Sequence, residues 1–163
     1  MAKKVPKVSV VMNVFRRARH FESQLTAIQG QTVQPHEILI WENGAESVGD
    51  SHSLLRARSD VNLGVWARFA HALNSTGDFV WVIDDDVIPG DAWLENAIDT
   101  IKVSGDALVG SRGLRFHSRK SYLLYDEFGP NGPSNENSHV DIVGHNWIFP
   151  REWLSAFWGE YSN

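Results

Sequence analysis

Apolar and polar positions alternate along this chain with two periods, one near 2 and one near 3.6. Residues 8–12 (VSVVM) form an unbroken apolar, largely β-branched run and predict a buried strand. Residues 20–29 carry Phe21, Leu25 and Ile28 on one helical face. Residues 37–41 (EILIW) predict a second strand, stopped by Asn43-Gly44. Trp66, Phe69, Ala70 and Leu73 then read as the inward stripe of a helix that stops near Gly77. A third strand is expected at 79–83, and a helix at 91–102 with Trp93, Leu94, Ala97, Ile98 and Ile101 inward. Residues 107–109 predict a short strand. Beyond 110 the pattern weakens: 128–138 (FGPNGPSNENS) is a turn-rich loop expected to be mobile, 139–143 a strand, and 151–158 (REWLSAFW) an amphipathic helix.

This βαβαβα order predicts an α/β fold, a mostly parallel sheet flanked by helices. Ligands of such sheets bind at the carboxyl ends of the strands. Three polar segments fall there: Asn13 to Arg17 after the first strand, Glu42-Asn43-Gly44 after the second, and Asp84-Asp85-Asp86 after the third.

Composition narrows the chemistry. The 163 residues suffice for one domain with a sizeable core. A net charge of −5 argues against a general affinity for nucleic acid. The absence of cysteine excludes disulfides and thiolate metal sites. The opening MAKKVPKVSV lacks the apolar stretch of a signal peptide and no later segment approaches a membrane span, so a soluble, cytoplasmic domain is expected.

Three adjacent carboxylates at a strand end repel one another unless something positive answers them. Oxygen-only ligands favour a hard divalent ion, Mg²⁺ or Mn²⁺, which keeps waters and bridges to substrate phosphates. Strand alternation puts Asp84 and Asp86 on one side and Asp85 on the other. The plainer account is a solvated acidic turn at the start of the next helix.

Four segments, in order, resemble glycosyltransferases of the GT-A fold and of the family 2 type. They are VSVVMNVFRR; QLTAIQGQTVQPHEILIWENGA; NLGVWARFAHALNSTGDFVWVIDDDVIPG, with its Asp-x-Asp strand end; and VDIVGHNWIFPREWL. The resemblance implies a single Rossmann-like domain over 1–163, with 1–110 binding nucleotide and 111–163 facing the acceptor. It implies a nucleoside-diphosphate sugar, a UDP-sugar first, as donor, and transfer to a sugar or glycan hydroxyl with inversion. Asn13, Val14 and Phe15, with Glu42 and Asn43, would hold base and ribose; Arg17, Asp85, Asn62, Gly64, Trp66 and Arg68 would border the nucleotide. Asp84 would meet ribose or the metal's water, and Asp86 would ligate the Mn²⁺ or Mg²⁺, with His145 as a further ligand.

The sequence departs from that family at Met12 to Phe15, where relatives carry Pro-Thr-Tyr-Asn, and at Glu42, where many carry Asp. The acidic Glu-Asp-type motif expected after the acceptor segment does not appear before Asn163. A minimal or C-terminally truncated form, or a substitute base, is therefore expected, with Asp141 the candidate and Glu160 a weaker one. Two rival readings remain: a nucleotide-sugar-binding domain without catalysis, and an Asp-x-Asp phosphatase, which would need an Asp where Asn13 stands. No phosphate-binding P-loop is present.

Overall fold

The computed structural model describes residues 5–49, 54–129 and 136–159. Five strands make the main sheet: β1 (Val8–Val14), β2 (Glu37–Asn43), β3 (Leu55–Ser59), β4 (Phe79–Ile83) and β8 (Asn146–Pro150), in the order β3-β2-β1-β4-β8. β1 pairs in parallel with β2 and β4, and β2 in parallel with β3, whereas β8 joins β4 antiparallel. A smaller antiparallel sheet, β6-β5-β7, follows from β5 (Arg112–Ser118), β6 (Ser121–Phe128) and β7 (Ile142–Gly144).

β1 occupies the centre because all seven of its residues are buried. Period-2 alternation divides them between two cores. Val8, Val10, Met12 and Val14 face one layer, with Phe21, Leu25 and Ile28 of α1 (Phe21–Gln29) and Leu94, Ala97, Ile98 and Ile101 of α3 (Trp93–Ser104). Val11 faces the other, with Val80, Val82, Ala72 of α2 (Ala67–Ala72) and Leu154 of α4 (Trp153–Gly159). Each fully buried Leu or Ile contributes about 1.5–3 kcal/mol through its apolar area, so this two-sided packing supplies the rigid platform for the strand ends. Gly77 lets the chain enter β4 against the start of β1. A Cβ there would lie 2.7 Å from Ser9 Oγ and 2.9 Å from the Lys7 carbonyl oxygen.

The predicted α/β class and the strands at 8–12, 37–41 and 79–83 agree with the structure, the first two running two residues further. Other expectations need correction. The stripe assigned to α2 faces outward in part: Trp66 and Leu73 are more than half exposed, and the helix buries Arg68, His71 and Ala72 instead. Arg68 turns inward because Asp84 lies there to pair with it. Residues 107–109 give only a bridge between Val109 and Ile148. β3, β5, β6 and β8 were not expected: half-exposed strands such as LRARS carry no apolar run, and the strand expected at 139–143 forms instead at Ile142–Gly144, with β8 following directly after it. Of the turn-rich loop at 128–138, residues 130–135 lie outside the described residues, as does Glu160. No described helix is long and apolar enough to cross a membrane.

Candidate functional site

The acidic turn after β4 is held from both sides of the sheet. Asp84 continues the face of Val80 and Val82, which α2 covers, and its carboxylate pairs with Nη1 of Arg68. Asp85 points the other way and is 7 % exposed; its two oxygens accept the Phe15 backbone N–H at 2.7 Å and Arg17 Nη1 at 3.0 Å. The same Arg17 nitrogen lies 3.2 Å from Asp86, whose side chain is 48 % exposed. Asp84 and Asp85 thus point to opposite sides, as expected from the sequence, but the strand ends at Ile83 and the turn brings Asp86 to the same Arg17 nitrogen as Asp85 rather than to the side of Asp84. Three carboxylates meet two guanidinium groups, which leaves one negative charge over. Burial pushes the Asp84 carboxyl above its ordinary value, Arg68 opposes that rise, and Asp86 and Asp85 add to it.

The ends of β1 and β2 close around this turn. Asn13 is buried beyond Met12, the partner of Ile83, and its Oδ1 has no hydrogen-bond partner. Val14 belongs to the core. The Phe15 ring lies against Gly44, where a Cβ would sit 3.6 Å away, and Arg16 covers that ring at 4.9 Å. At the end of β2, Glu42 is 1 % exposed and accepts the Ser47 hydroxyl at 2.9 Å and the Val48 N–H at 2.8 Å. Glu42 thus folds the following loop. Asn43 ties down the segment before α2: Nδ2 donates to Asn62 Oδ1 at 3.0 Å and the Gly64 carbonyl at 3.1 Å, and Oδ1 accepts the Leu63 N–H at 2.8 Å. Asn62 and Gly64 are fixed in turn by the Gly64 N–H to Asn62 Oδ1 bond at 2.8 Å. Trp66 opens that helix and is 58 % exposed.

Two backbone outliers flank the turn. Among the described residues, Arg16 (φ 61°) and His145 (φ 71°) alone adopt positive φ without being glycine. Such conformations cost about 1–3 kcal/mol and persist only where the surroundings hold them, most often at functional sites. The His145 carbonyl accepts the Asp84 N–H at 3.1 Å, which brings His145 beside the carboxylates. Its ring is engaged elsewhere, with Nε2 2.8 Å from Arg112 Nη1. Asp141, by contrast, sits on the small sheet and accepts the Phe116 N–H at 2.8 Å.

Two buried residues that position the backbone of the turn and of α3 escaped the sequence reading. Gln24 of α1, 1 % exposed, donates Nε2 to the carbonyls of Asp84 and Val87, each at 2.7 Å. Gln31, also buried, donates to the Gly90 carbonyl at 2.8 Å and accepts the Leu94 N–H at 2.8 Å. A glutamine on the apolar face of an amphipathic helix was the available signal, because a buried amide needs partners.

Carboxylate oxygens are the donors a hard divalent cation takes, although here Asp84 pairs with Arg68 and Asp86 with Arg17. Only carboxylate oxygens are offered, negative charge is in excess, and Asp84 and Asp86 both retain exposure. No group of three or more His, Cys, Asp or Glu converges among the described residues. Two protein carboxylates with substrate oxygens and water filling the rest is the pattern that Mg²⁺-like ions accept.

Residues 9–158 match the family model of Glycosyl transferase family 2. The chain is 31 % identical over 135 residues to the glucosyl-dolichyl phosphate glucuronosyltransferase of Haloferax volcanii, covering 75 % of this chain and 43 % of that one. It is 27 % identical over 122 residues to glycosyltransferase AglE of the same organism, covering 68 % and 40 %. It thus spans about two fifths of the length of these curated relatives. Among solved structures, TarS of S. aureus (residues 1–349) superposes with a TM-score of 0.60 at 14 % identity, over 93 % of this chain and 49 % of that one. That likeness shows the shared GT-A fold.

Proposed function

Because the chain belongs to glycosyl transferase family 2, we propose that its strand ends bind a nucleoside-diphosphate sugar with a divalent cation and serve sugar transfer to an acceptor hydroxyl. The observation that carries this reading is the meeting of Phe15, Arg17, Arg68 and the three carboxylates at the carboxyl ends of β1 and β4. A UDP-sugar is the first donor to test. Inversion at the transferred carbon is the accompanying proposal.

Each side chain has a role in that reading. Phe15 offers an aromatic wall and Asn13 an unpartnered amide oxygen toward the nucleoside. Asn43 sets the position of the 62–64 turn that leads into α2. Arg17 and Arg68 are the cations nearest the acidic turn and supply charge for a diphosphate. Asp84 and Asp86 would hold Mn²⁺ or Mg²⁺, which supplies charge neutralisation for the departing diphosphate when bound. Asp85, tied to Phe15 and Arg17, orients the first loop.

A second reading, a nucleotide-sugar-binding unit that needs its base from elsewhere, is favoured by one observation. The carboxylate proposed as base, Asp141, caps β5 through Phe116. Turnover against a saccharide acceptor separates the two. Donor binding itself is tested by a thermal-shift screen of nucleoside diphosphates and their sugars, with and without Mn²⁺. Ligands that bind only the folded state raise the midpoint by mass action. A rise that needs both nucleotide and metal is expected; no rise with any nucleotide would overturn the reading.

A further inference from the structure

β6 is an edge strand of the small sheet, and none of its residues belongs to either hydrophobic core. Its sequence is nonetheless apolar where it begins. Tyr122, Leu123 and Leu124 are 77 %, 87 % and 62 % exposed. A single exposed leucine is ordinary, but three adjacent large apolar residues form a patch. Immediately before them, Arg119 and Lys120 make the turn between β5 and β6, and both are exposed. Neither forms a salt bridge among the described residues. The hairpin's own carboxylates are engaged elsewhere, Glu127 with Arg112 and Asp126 with His117 at 2.9 Å. On a chain of net charge −5, this turn is a local positive spot.

The hairpin holds these residues in a set shape. Phe116 is registered with Tyr125 and Ser118 with Ser121, so His117 alone stands opposite Tyr122, Leu123 and Leu124. The extra residues of β6 bulge out of the ladder. Ser118 Oγ accepts the Lys120 N–H and Ser121 Oγ the Leu123 N–H, each at 3.2 Å. The Phe116 ring meets Tyr122 and Tyr125 edge-on, with centroids 5.0 and 6.1 Å away. The bulge decides against one kind of occupant, because an interrupted edge is a poor template for another strand. Exposure of three successive side chains decides against a second, since no single apolar face is offered for a folded partner to cover. A fluid apolar medium receives a projecting tip on every side at once. Tyrosine beside leucine, next to a basic turn, also matches the layers of a bilayer surface: acyl boundary, headgroup level and lipid phosphate.

We propose that the tip of the β5-β6 hairpin docks this protein on an anionic lipid surface. Leu123 and Leu124 enter the acyl boundary, Tyr122 lies at headgroup level, and Arg119 and Lys120 meet the lipid phosphates. The contact is with one leaflet and needs no spanning helix. It needs neither nucleotide nor metal, so it goes beyond the donor-site reading and is independent of it.

The test is co-sedimentation of the 163-residue chain with vesicles of phosphatidylcholine alone or with about 30 % phosphatidylglycerol, in about 0.1 M NaCl. The chain should partition onto the anionic vesicles and at least tenfold less onto the neutral ones. Leu123→Ser with Leu124→Ser should weaken that partition about tenfold or more through the lost apolar insertion. Arg119→Gln and Lys120→Gln should each weaken it about fivefold. Val103→Ser, at an apolar position of α3 that is 89 % exposed, should leave it unchanged. Because the chain has no cysteine, Leu123→Cys can carry a single polarity-sensitive dye, whose emission should rise and shift to the blue with anionic vesicles. The same dye on Val103→Cys should stay silent. Equal partition onto both vesicle types, or none onto either, would overturn the proposal. So would a double leucine variant that binds within about twofold of the unaltered chain, or a dye at position 103 that responds as the one at 123 does. Sedimentation velocity covers the remaining occupant: a dimer that the double leucine variant converts to monomer, without vesicle binding, would assign the tip to a second copy and overturn the proposal as well.

Discussion

Replacing Gln24 with leucine removes a side chain that ties α1 to the acidic turn. Its Nε2 donates to the Asp84 and Val87 carbonyls at 2.7 Å each, from a residue 1 % exposed. Leucine keeps the apolar stem and approximate volume, so no large cavity opens. What is lost is two hydrogen bonds, at about 0.5–1.5 kcal/mol each, together with part of the desolvation penalty of two carbonyls left unpaired. The sum is about 2–4 kcal/mol. The same carbonyls set the backbone from which Asp84 and Asp86 project, so the loss should also reach ligand binding. Urea unfolding of the unaltered chain, Gln24→Leu and Ile28→Val separates the two effects. Ile28→Val costs about 0.5–1.5 kcal/mol on the same helix face without touching the turn. Both variants should lose stability, but only Gln24→Leu should weaken metal-supported nucleotide binding, by about tenfold if 1.4 kcal/mol of turn geometry is lost. A loss below about 0.5 kcal/mol, or a destabilised Gln24→Leu that binds nucleotide normally, would refute the argument.

Gly77→Ala should destabilise by about 1–3 kcal/mol, because the new methyl meets the Lys7 carbonyl and Ser9 amide at 2.9 Å and backbone must shift; chemical denaturation reads it. Stability should fall as pH drops below about 6.5, since burial depresses the His71 pKa and the unfolded chain takes up the proton first. His71→Phe should flatten that part of the profile. Asp141→Ala should cost about 1 kcal/mol through the lost Phe116 contact while leaving nucleotide affinity unchanged; a large fall in affinity would place Asp141 in the donor site.

The parallel sheet was legible because central strands are buried on both sides and read as continuous apolar runs, as β1 and β4 do. The acidic turn was legible because three adjacent carboxylates at a strand end demand compensation. What compensates them was only partly legible. Arg17 and Arg68 were singled out for the nucleotide, yet in the structure they answer Asp85 and Asp84 respectively. The orientation of α2 was misread because periodicity weighs apolar side chains alone. A partly buried ion pair with Asp84 draws the polar Arg68 inward, while Trp66 and Leu73 face the outside. Gln24 and Gln31 were passed over for a related reason: a glutamine on or beside an apolar face signals burial, but its partners are backbone carbonyls and amides some 60 residues away along the chain. The β5-β6 hairpin has exposure on both faces, so neither period marks it.

The central claim is that Asp84 and Asp86 hold a cation that in turn holds a diphosphate. Calorimetric titration of the 163-residue chain with UDP, in Mn²⁺ and then in chelator, with GDP and thymidine diphosphate as alternatives, tests it most directly. The account predicts saturable binding of at least one nucleotide in Mn²⁺, weakened about tenfold or more by chelator and by Asp86→Asn, in a variant that unfolds normally. Equal affinity with and without metal, or an Asp86→Asn variant that binds like the unaltered chain, would contradict it.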